Sequence, residues 1–122
     1  MPAVPRVLVL EDELLIAMMM RGWLTELGCE TVGPARTVPD ALALIKDGPL
    51  DGAILDVTIA GGDCFPVADA LRQKGIPFAL TTGRAADGLP ANYADAPLLP
   101  KPYDFAAVRG IVAKLLDEPA PS

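Results

Sequence analysis

The sequence predicts an α/β fold: a doubly wound, five-stranded parallel sheet with helices on both faces. Three observations carry this expectation. Short apolar runs without polar alternation, Val7–Leu10, Ala53–Leu55 and Phe78–Leu80, suit strands covered on both faces. Stretches of helical spacing separate them, so strands and helices alternate, and right-handed crossovers then lead to a parallel sheet. The 13 prolines fall at boundaries, in first turns and near the C-terminus rather than in helix interiors, which supports the same division.

The elements follow in order. Arg6–Leu10 is a strand that runs straight into Glu11-Asp12-Glu13. Leu14 to Leu27 reads as a helix stopped by Gly28, with Ile16, Met20, Trp23 and Leu27 on one face, expected to pack on the sheet. Arg21 and Thr25 mark the opposite, solvent face; Leu14 and Met18 share that side and Leu15 lies at its margin. Glu30–Gly33 is a short edge strand. Thr37 caps a second helix with Pro39 in its first turn, running through Leu42 and Ile45 to Lys46. Ala53–Leu55 is a third strand and ends in Asp56. Gly61-Gly62 makes a flexible loop before a helix from Phe65 to Lys74, closed by Gly75. Pro77–Thr81 is a fourth strand ending at Thr82-Gly83. Arg84 to Pro97 contains Gly88, Pro90 and Pro97 without a continuous apolar stripe, so the fourth helix should be short or mobile. Leu98-Leu99 is a brief fifth strand, followed by Pro100-Lys101-Pro102. Asp104 caps a last helix whose Phe105, Val108, Val112 and Leu115 face the core. One domain is expected over residues 1–116, with a disordered tail over 117–122. Trp23 and the four methionines are expected to fill the core.

Composition narrows the function. A chain of 122 residues, 52% of them hydrophobic, has room for one well-buried core. No apolar run approaches the roughly 20 residues of a membrane span, and Met1-Pro2-Ala3 lacks a basic leader region, so a cytoplasmic location is expected. A net charge of -6 argues against nucleic acid as a partner. With no His in the chain, Ser-His and Cys-His catalysis and most zinc sites are excluded. Cys29 and Cys64 have no metal-ligand spacing and read as buried thiols.

What remains is the carboxyl edge of the sheet, where α/β folds build their sites. Glu11 and Asp12, Asp56, Thr82 and Lys101 come from four separate strand ends and would meet there. Each has an ordinary alternative: acids suit a helix N-terminus, Asp56 could cap a turn, Thr82 could simply end a strand, and Lys101 could be a surface lysine. Neighbouring carboxylates repel one another unless a cation neutralises them. Four independent coincidences are a poorer account than one site.

The acidic group in Val9-Leu10-Glu11-Asp12-Glu13, Asp56 after its apolar strand, Thr82-Gly83 and Lys101-Pro102-Tyr103 together resemble a response-regulator receiver domain. The resemblance covers nearly the whole chain and implies the flavodoxin-like strand order 2-1-3-4-5. Leu15-Ile16-Ala17-Met18, Leu27-Gly28-Cys29, Val32-Gly33-Pro34-Ala35 and Pro66–Leu71 are further similar to bacterial single-domain receivers of the FATGUY type. That group ends its fourth strand Phe-Ala-Thr-Gly; here the chain reads Leu80-Thr81-Thr82-Gly83, with Arg84-Ala85 beyond it.

The resemblance implies a single-domain response regulator of a two-component phosphorelay. Asp56 would take a phosphoryl group from a sensor histidine kinase, the HWE type included, or from a phosphotransfer protein. Mg2+ would be held by Asp12, Asp56 and the backbone carbonyl of Thr58, with Glu11 acting through water. Lys101 and Thr82 would contact phosphoryl oxygens, and output would pass to a downstream protein target. The Lys101–Pro102 bond is expected cis, as receivers usually have it. Receivers also commonly pair the Thr with an aromatic three positions before the Lys; Leu98 stands there, so no such couple is expected and reordering of 84–97 would take its place. Arg84 could reach the phosphoryl group. Leu14, Leu15 and Met18, apolar residues beside the site, are expected to dock the kinase. Two other readings stay open. An aspartate-nucleophile phosphatase would need a second acid two residues after Asp56, where Thr58 stands. A receiver-like adaptor would work without phosphorylation.

Overall fold

The structure, a computed structural model, describes residues 4–59, 62–83 and 89–117. Strands β1 (Arg6–Leu10), β2 (Glu30–Ala35), β3 (Gly52–Asp56), β6 (Phe78–Thr82) and β7 (Leu98–Pro100) form one parallel sheet in the order β2-β1-β3-β6-β7. This is the flavodoxin-like order once the two short strands β4 (Thr58–Ile59) and β5 (Gly62–Asp63), which pair only with each other, are set aside. Helices α1 (Leu14–Glu26), α2 (Val38–Asp47), α3 (Phe65–Gln73) and α4 (Phe105–Asp117) complete the chain.

The central strands are buried on both faces because two separate cores lie on them. Leu8, Leu10, Ala53, Leu55, Phe78 and Leu80 meet Ala41 and Ile45 of α2 and Val67, Ala68 and Leu71 of α3. On the other face Val7, Val9, Ile54, Ala79 and Leu99 meet Met20 and Leu24 of α1 and Val108, Val112 and Leu115 of α4. Successive residues of one strand thus serve opposite cores, which is why no polar alternation was available to read. Cys29 and Cys64 are free, buried thiols, and burial pushes the Cys64 thiol up to about 12.

The caps hold as expected at two helices. The Asp40 N–H donates to the Thr37 hydroxyl at 3.2 Å, and the Ala107 N–H to Asp104 Oδ1 at 2.9 Å. At α3 the N-cap position is Cys64, and Asp63 just before it accepts the Phe65 N–H on Oδ1 at 3.1 Å.

Several expectations need correction. The buried stripe of α1 is Ala17, Met20 and Leu24. Ile16, Trp23 and Leu27 only flank it, half-buried. The small Ala17 lets the helix approach the sheet closely, while Trp23 turns toward α4, 6.2 Å from the Tyr103 ring and 6.4 Å from the Phe105 ring. Of the methionines described, only Met20 fills the core; Met18 and Met19 are exposed. Strand β2 does not stop at Gly33. It continues to Ala35 through a bulge, since Leu8 pairs with Val32 but Leu10 with Ala35. Gly33 sits there at φ +97°, and a Cβ on it would lie 2.5 Å from the Ala35 nitrogen, so glycine is required. The loop at Gly61-Gly62 includes the small β4–β5 hairpin, with Gly61 itself outside the described residues.

Within the stretch assigned to the fourth helix, residues 84–88 lie outside the described residues, and the part beyond them contains a single 3-10 turn, Ala91–Tyr93. Helix α4 reaches Asp117; the remainder of the expected tail also lies outside the described residues. No helix among the described residues is long and apolar enough to cross a membrane.

Candidate functional site

Backbone hydrogen bonds beyond the strand ends set the site in place. The Glu11 N–H donates to Ala35 O at 2.9 Å, extending β1 by one residue. The Val57 N–H donates to Thr81 O, and the Lys101 N–H to Thr82 O, both at 2.9 Å. Ladder bonds therefore fix the residues after β1, β3 and β7 at one edge of the sheet.

Glu11, Asp56 and Thr82 are buried there, and Asp12 is half-buried. One carboxylate oxygen from each of Glu11, Asp12 and Asp56 can be chosen so that all lie within 4.8 Å of one another. Lys101 Nζ is 3.0 Å from Asp56 Oδ2 and 3.2 Å from Glu11 Oε1. The second oxygen of Glu11 accepts the Glu13 N–H at 3.0 Å. Burial raises the Glu11 carboxyl above its ordinary value against the pull of that N–H, with Asp56 raising it further and Lys101 lowering it. Burial acts to lower the Lys101 ammonium, but the hydrogen bond and charge of Asp56, joined by Glu11, outweigh it and leave the group raised.

Three acids and one lysine leave an excess of negative charge in a partly desolvated corner. Such a set of hard oxygen donors suits a small divalent cation such as Mg2+. Thr58 opens β4 with an exposed side chain, two residues beyond Asp56. The Lys101–Pro102 bond is cis, as expected, and so is Gly33–Pro34. Position 98 carries a half-buried Leu that pairs with Leu80, so β7 offers Thr82 no aromatic partner. Arg84 lies outside the described residues.

The first turns of α1 border the site with their apolar side chains out: Leu14 is 64%, Leu15 76% and Met18 60% exposed. Met19, 49% exposed, belongs to the same surface and was not anticipated. With Ile16, Lys101, Pro102 and Tyr103 it lines a cavity of about 320 Å³. Its signal was present in the sequence, since Met19 stands four residues after Leu15. Tyr103, which the sequence marks only as part of the Lys101-Pro102-Tyr103 motif, is half-buried beside the site. Its phenol is pushed up to about 12 by burial, with Glu11 adding to the effect. The Thr81 hydroxyl is buried without a hydrogen-bond partner.

No protein-family model matches the chain. SdrG from Sphingomonas melonis Fr1, known from a solution structure, is 43% identical; the alignment covers 95% of this chain and 99% of SdrG, with a TM-score of 0.83. The response regulator TrrA from Thermotoga maritima, crystallised in complex with Mg2+ and BeF, is 28% identical over 93% of this chain and 100% of its own, with a TM-score of 0.81. The phyllosphere-induced regulator PhyR of Methylorubrum extorquens is 30% identical over 114 residues, 90% of this chain. The chain spans only 43% of the length of PhyR. With this fold, this strand order and these relatives, the chain belongs to the response-regulator receiver family.

Proposed function

We propose that the chain works as a phosphoacceptor: a receiver domain over residues 1–116 that takes a phosphoryl group on Asp56 from a sensor histidine kinase or a phosphotransfer protein. The observation that carries this reading is the grouping of Glu11, Asp12 and Asp56 within 4.8 Å, with Lys101 Nζ 3.0 Å from Asp56. An Asp56 oxygen attacks phosphorus, the P–N bond to the kinase histidine breaks, and an acyl phosphate forms. Phosphoryl transfer asks chiefly for alignment and charge neutralisation. Asp12 and Asp56, with the Thr58 carbonyl, would hold Mg2+, and Glu11 would act through water. When bound, the ion neutralises phosphoryl oxygens. Lys101 exchanges its contact with the free carboxylate for one with a phosphoryl oxygen, and Thr82 donates its hydroxyl to another. TrrA, a relative that binds Mg2+ and BeF, supports this assignment. Output passes through protein contacts, as target regulation or as onward transfer of phosphate.

Mass spectrometry after incubation with Mg2+ and acetyl phosphate tests the reading. A stable adduct of one phosphoryl group, absent from Asp56→Asn, is expected. Rapid turnover of phosphomonoesters would instead mean a phosphatase, and neither adduct nor turnover a phosphorylation-independent adaptor. Thr58, where such phosphatases carry an acid, weighs against the former.

A further inference from the structure

The first turns of α1 end in three successive methionines, and the helix separates them. Met20 is buried against the sheet, whereas Met18 and Met19 stand exposed. The fold gives no reason for a thioether at positions 18 and 19. Leucine has nearly the same volume and helix propensity, and neither side chain fills the core. What methionine adds there is a polarizable sulfur that can be oxidised. The thiols, by contrast, are withheld. Cys29 and Cys64 are both buried, and burial raises both above their ordinary value, so neither presents a thiolate at neutral pH. Among the described residues, Met18 and Met19 are therefore the sulfurs that an oxidant in solution reaches.

Each of the two borders a different cavity, and each cavity holds cationic donors. Met18 lines one of about 140 Å³ with Leu14, Arg21, Pro34 and Arg36. Neither arginine is ion-paired among the described residues. Met19 lines the cavity of about 320 Å³ that it shares with Lys101. The Lys101 ammonium contacts Asp56 and Glu11 and has a third N–H to give. A sulfoxide oxygen is a strong acceptor, so oxidation at either position would place it in a cavity already lined by a matching donor.

We propose that Met18 and Met19 form a reversible oxidation site, through which a peroxide controls docking on the outer face of α1. A lone pair of the thioether sulfur attacks one peroxide oxygen, the O–O bond breaks and an S–O bond forms. The departing oxygen takes up a proton and leaves as water or an alcohol. Sulfur loses two electrons and the peroxide gains them. The product exchanges a flexible apolar side chain for a polar one, and methionine sulfoxide reductases, one for each epimer, restore it. A partner that covers α1 with apolar side chains must then desolvate two sulfoxides, which weakens its hold. The carboxylates at the strand ends are untouched. The effect on docking rests on the phosphoacceptor reading; the modification itself does not.

Peptide mapping of the folded full chain after graded hydrogen peroxide tests the modification. Met18 and Met19 should each gain one oxygen about tenfold faster than Met20, with both cysteines unmodified, and the pair of reductases should remove it. Oxidation of Met20 at the same rate, or of a cysteine first, overturns the site. The effect on docking is read with an autophosphorylated sensor-kinase core that loads the untreated protein. Phosphotransfer should fall several-fold after oxidation and return after reduction, while labelling by acetyl phosphate in the same samples stays unaltered. In Met18→Leu with Met19→Leu, the ratio of treated to untreated rates should be close to one. An unaltered kinase rate in the oxidised parent overturns the control of docking. So does loss of both activities, since the oxidant then acts on the fold or on the carboxylates. If the untreated protein takes no phosphoryl group on Asp56 from either donor, the phosphoacceptor reading and the docking effect fail together. The peptide map and its reversal still decide the modification.

Discussion

Lys101 is the cation on which two buried carboxylates depend. It reaches Asp56 at 3.0 Å and Glu11 at 3.2 Å, and its own side chain is only 18% exposed. Removing it would leave like charges facing one another with poor access to water. Lys101→Met should therefore lower stability in metal-free buffer by about 1–3 kcal/mol, read from the urea midpoint. Added Mg2+ should recover part of the loss; an unchanged midpoint in EDTA would mean that water already solvates the acids. That these acids mattered was legible from their positions at strand ends. That Glu11, rather than Asp12, is the deeply buried partner of Lys101 was not. It follows from the β1–β2 bulge and the bond from the Glu11 N–H to Ala35, which the sequence shows only as a Gly-Pro pair.

At the scale of the element, α1 divides its apolar residues between two tasks. Ala17, Met20 and Leu24 are buried, whereas Leu14, Leu15, Met18 and Met19 face outward beside the carboxylates. Exposed apolar side chains are ordinary singly, but on the phosphoacceptor reading proposed above four adjoining ones around the site would be where the kinase docks. Leu15→Glu and Met18→Glu should slow phosphotransfer from the cognate kinase by roughly tenfold, as expected for losing an apolar anchor of about 1.4 kcal/mol. Labelling by acetyl phosphate should be unaltered, because neither residue touches Asp56. Loss of both activities would show that the helix had been disrupted, and loss of neither would put the kinase elsewhere. Leu24→Ala offers the contrast, with an expected cost of about 2–5 kcal/mol in denaturant and no selectivity between donors. The helical period gave the right helix, but a stripe centred on Ile16 and Trp23. A run of seven apolar residues, Leu14–Met20, does not by itself mark which side the sheet will cover.

For the whole molecule, the readable pH dependence lies on the alkaline side. The Cys64 thiol is raised from 9.0 to about 12 and the Tyr103 phenol from 10.0 to about 12, both chiefly by burial. Each folded value exceeds the unfolded one, so the unfolded chain loses these protons first. Their contribution to stability is complete below pH 9 and is lost progressively as the pH rises toward 12. Urea unfolding followed by Trp23 fluorescence from pH 8 to 12 should show this decline. Cys64→Ala together with Tyr103→Phe should flatten it, and an unchanged slope in that double variant would assign the decline to other groups. Native Cys64 should also resist alkylation at pH 8, since the thiolate is the nucleophile.

The sequence by itself determined the alternation of strands and helices, the parallel sheet, the caps at Thr37 and Asp104, and the convergence of Glu11, Asp12, Asp56, Thr82 and Lys101 at one edge. Those features are local: an apolar run, a capping side chain, or a residue one step beyond a strand whose direction the topology sets. Only the tertiary structure decided which face of α1 meets the sheet, that β2 bulges at Gly33, and that Tyr93 lies buried on α3 beneath Arg72. Each of these depends on what a distant segment presents. α1 is turned by its packing against the sheet and α4, β2 takes its register from β1, and Tyr93 has a place only because Phe65, Asp69 and Arg72 share one stripe of a helix some twenty residues earlier.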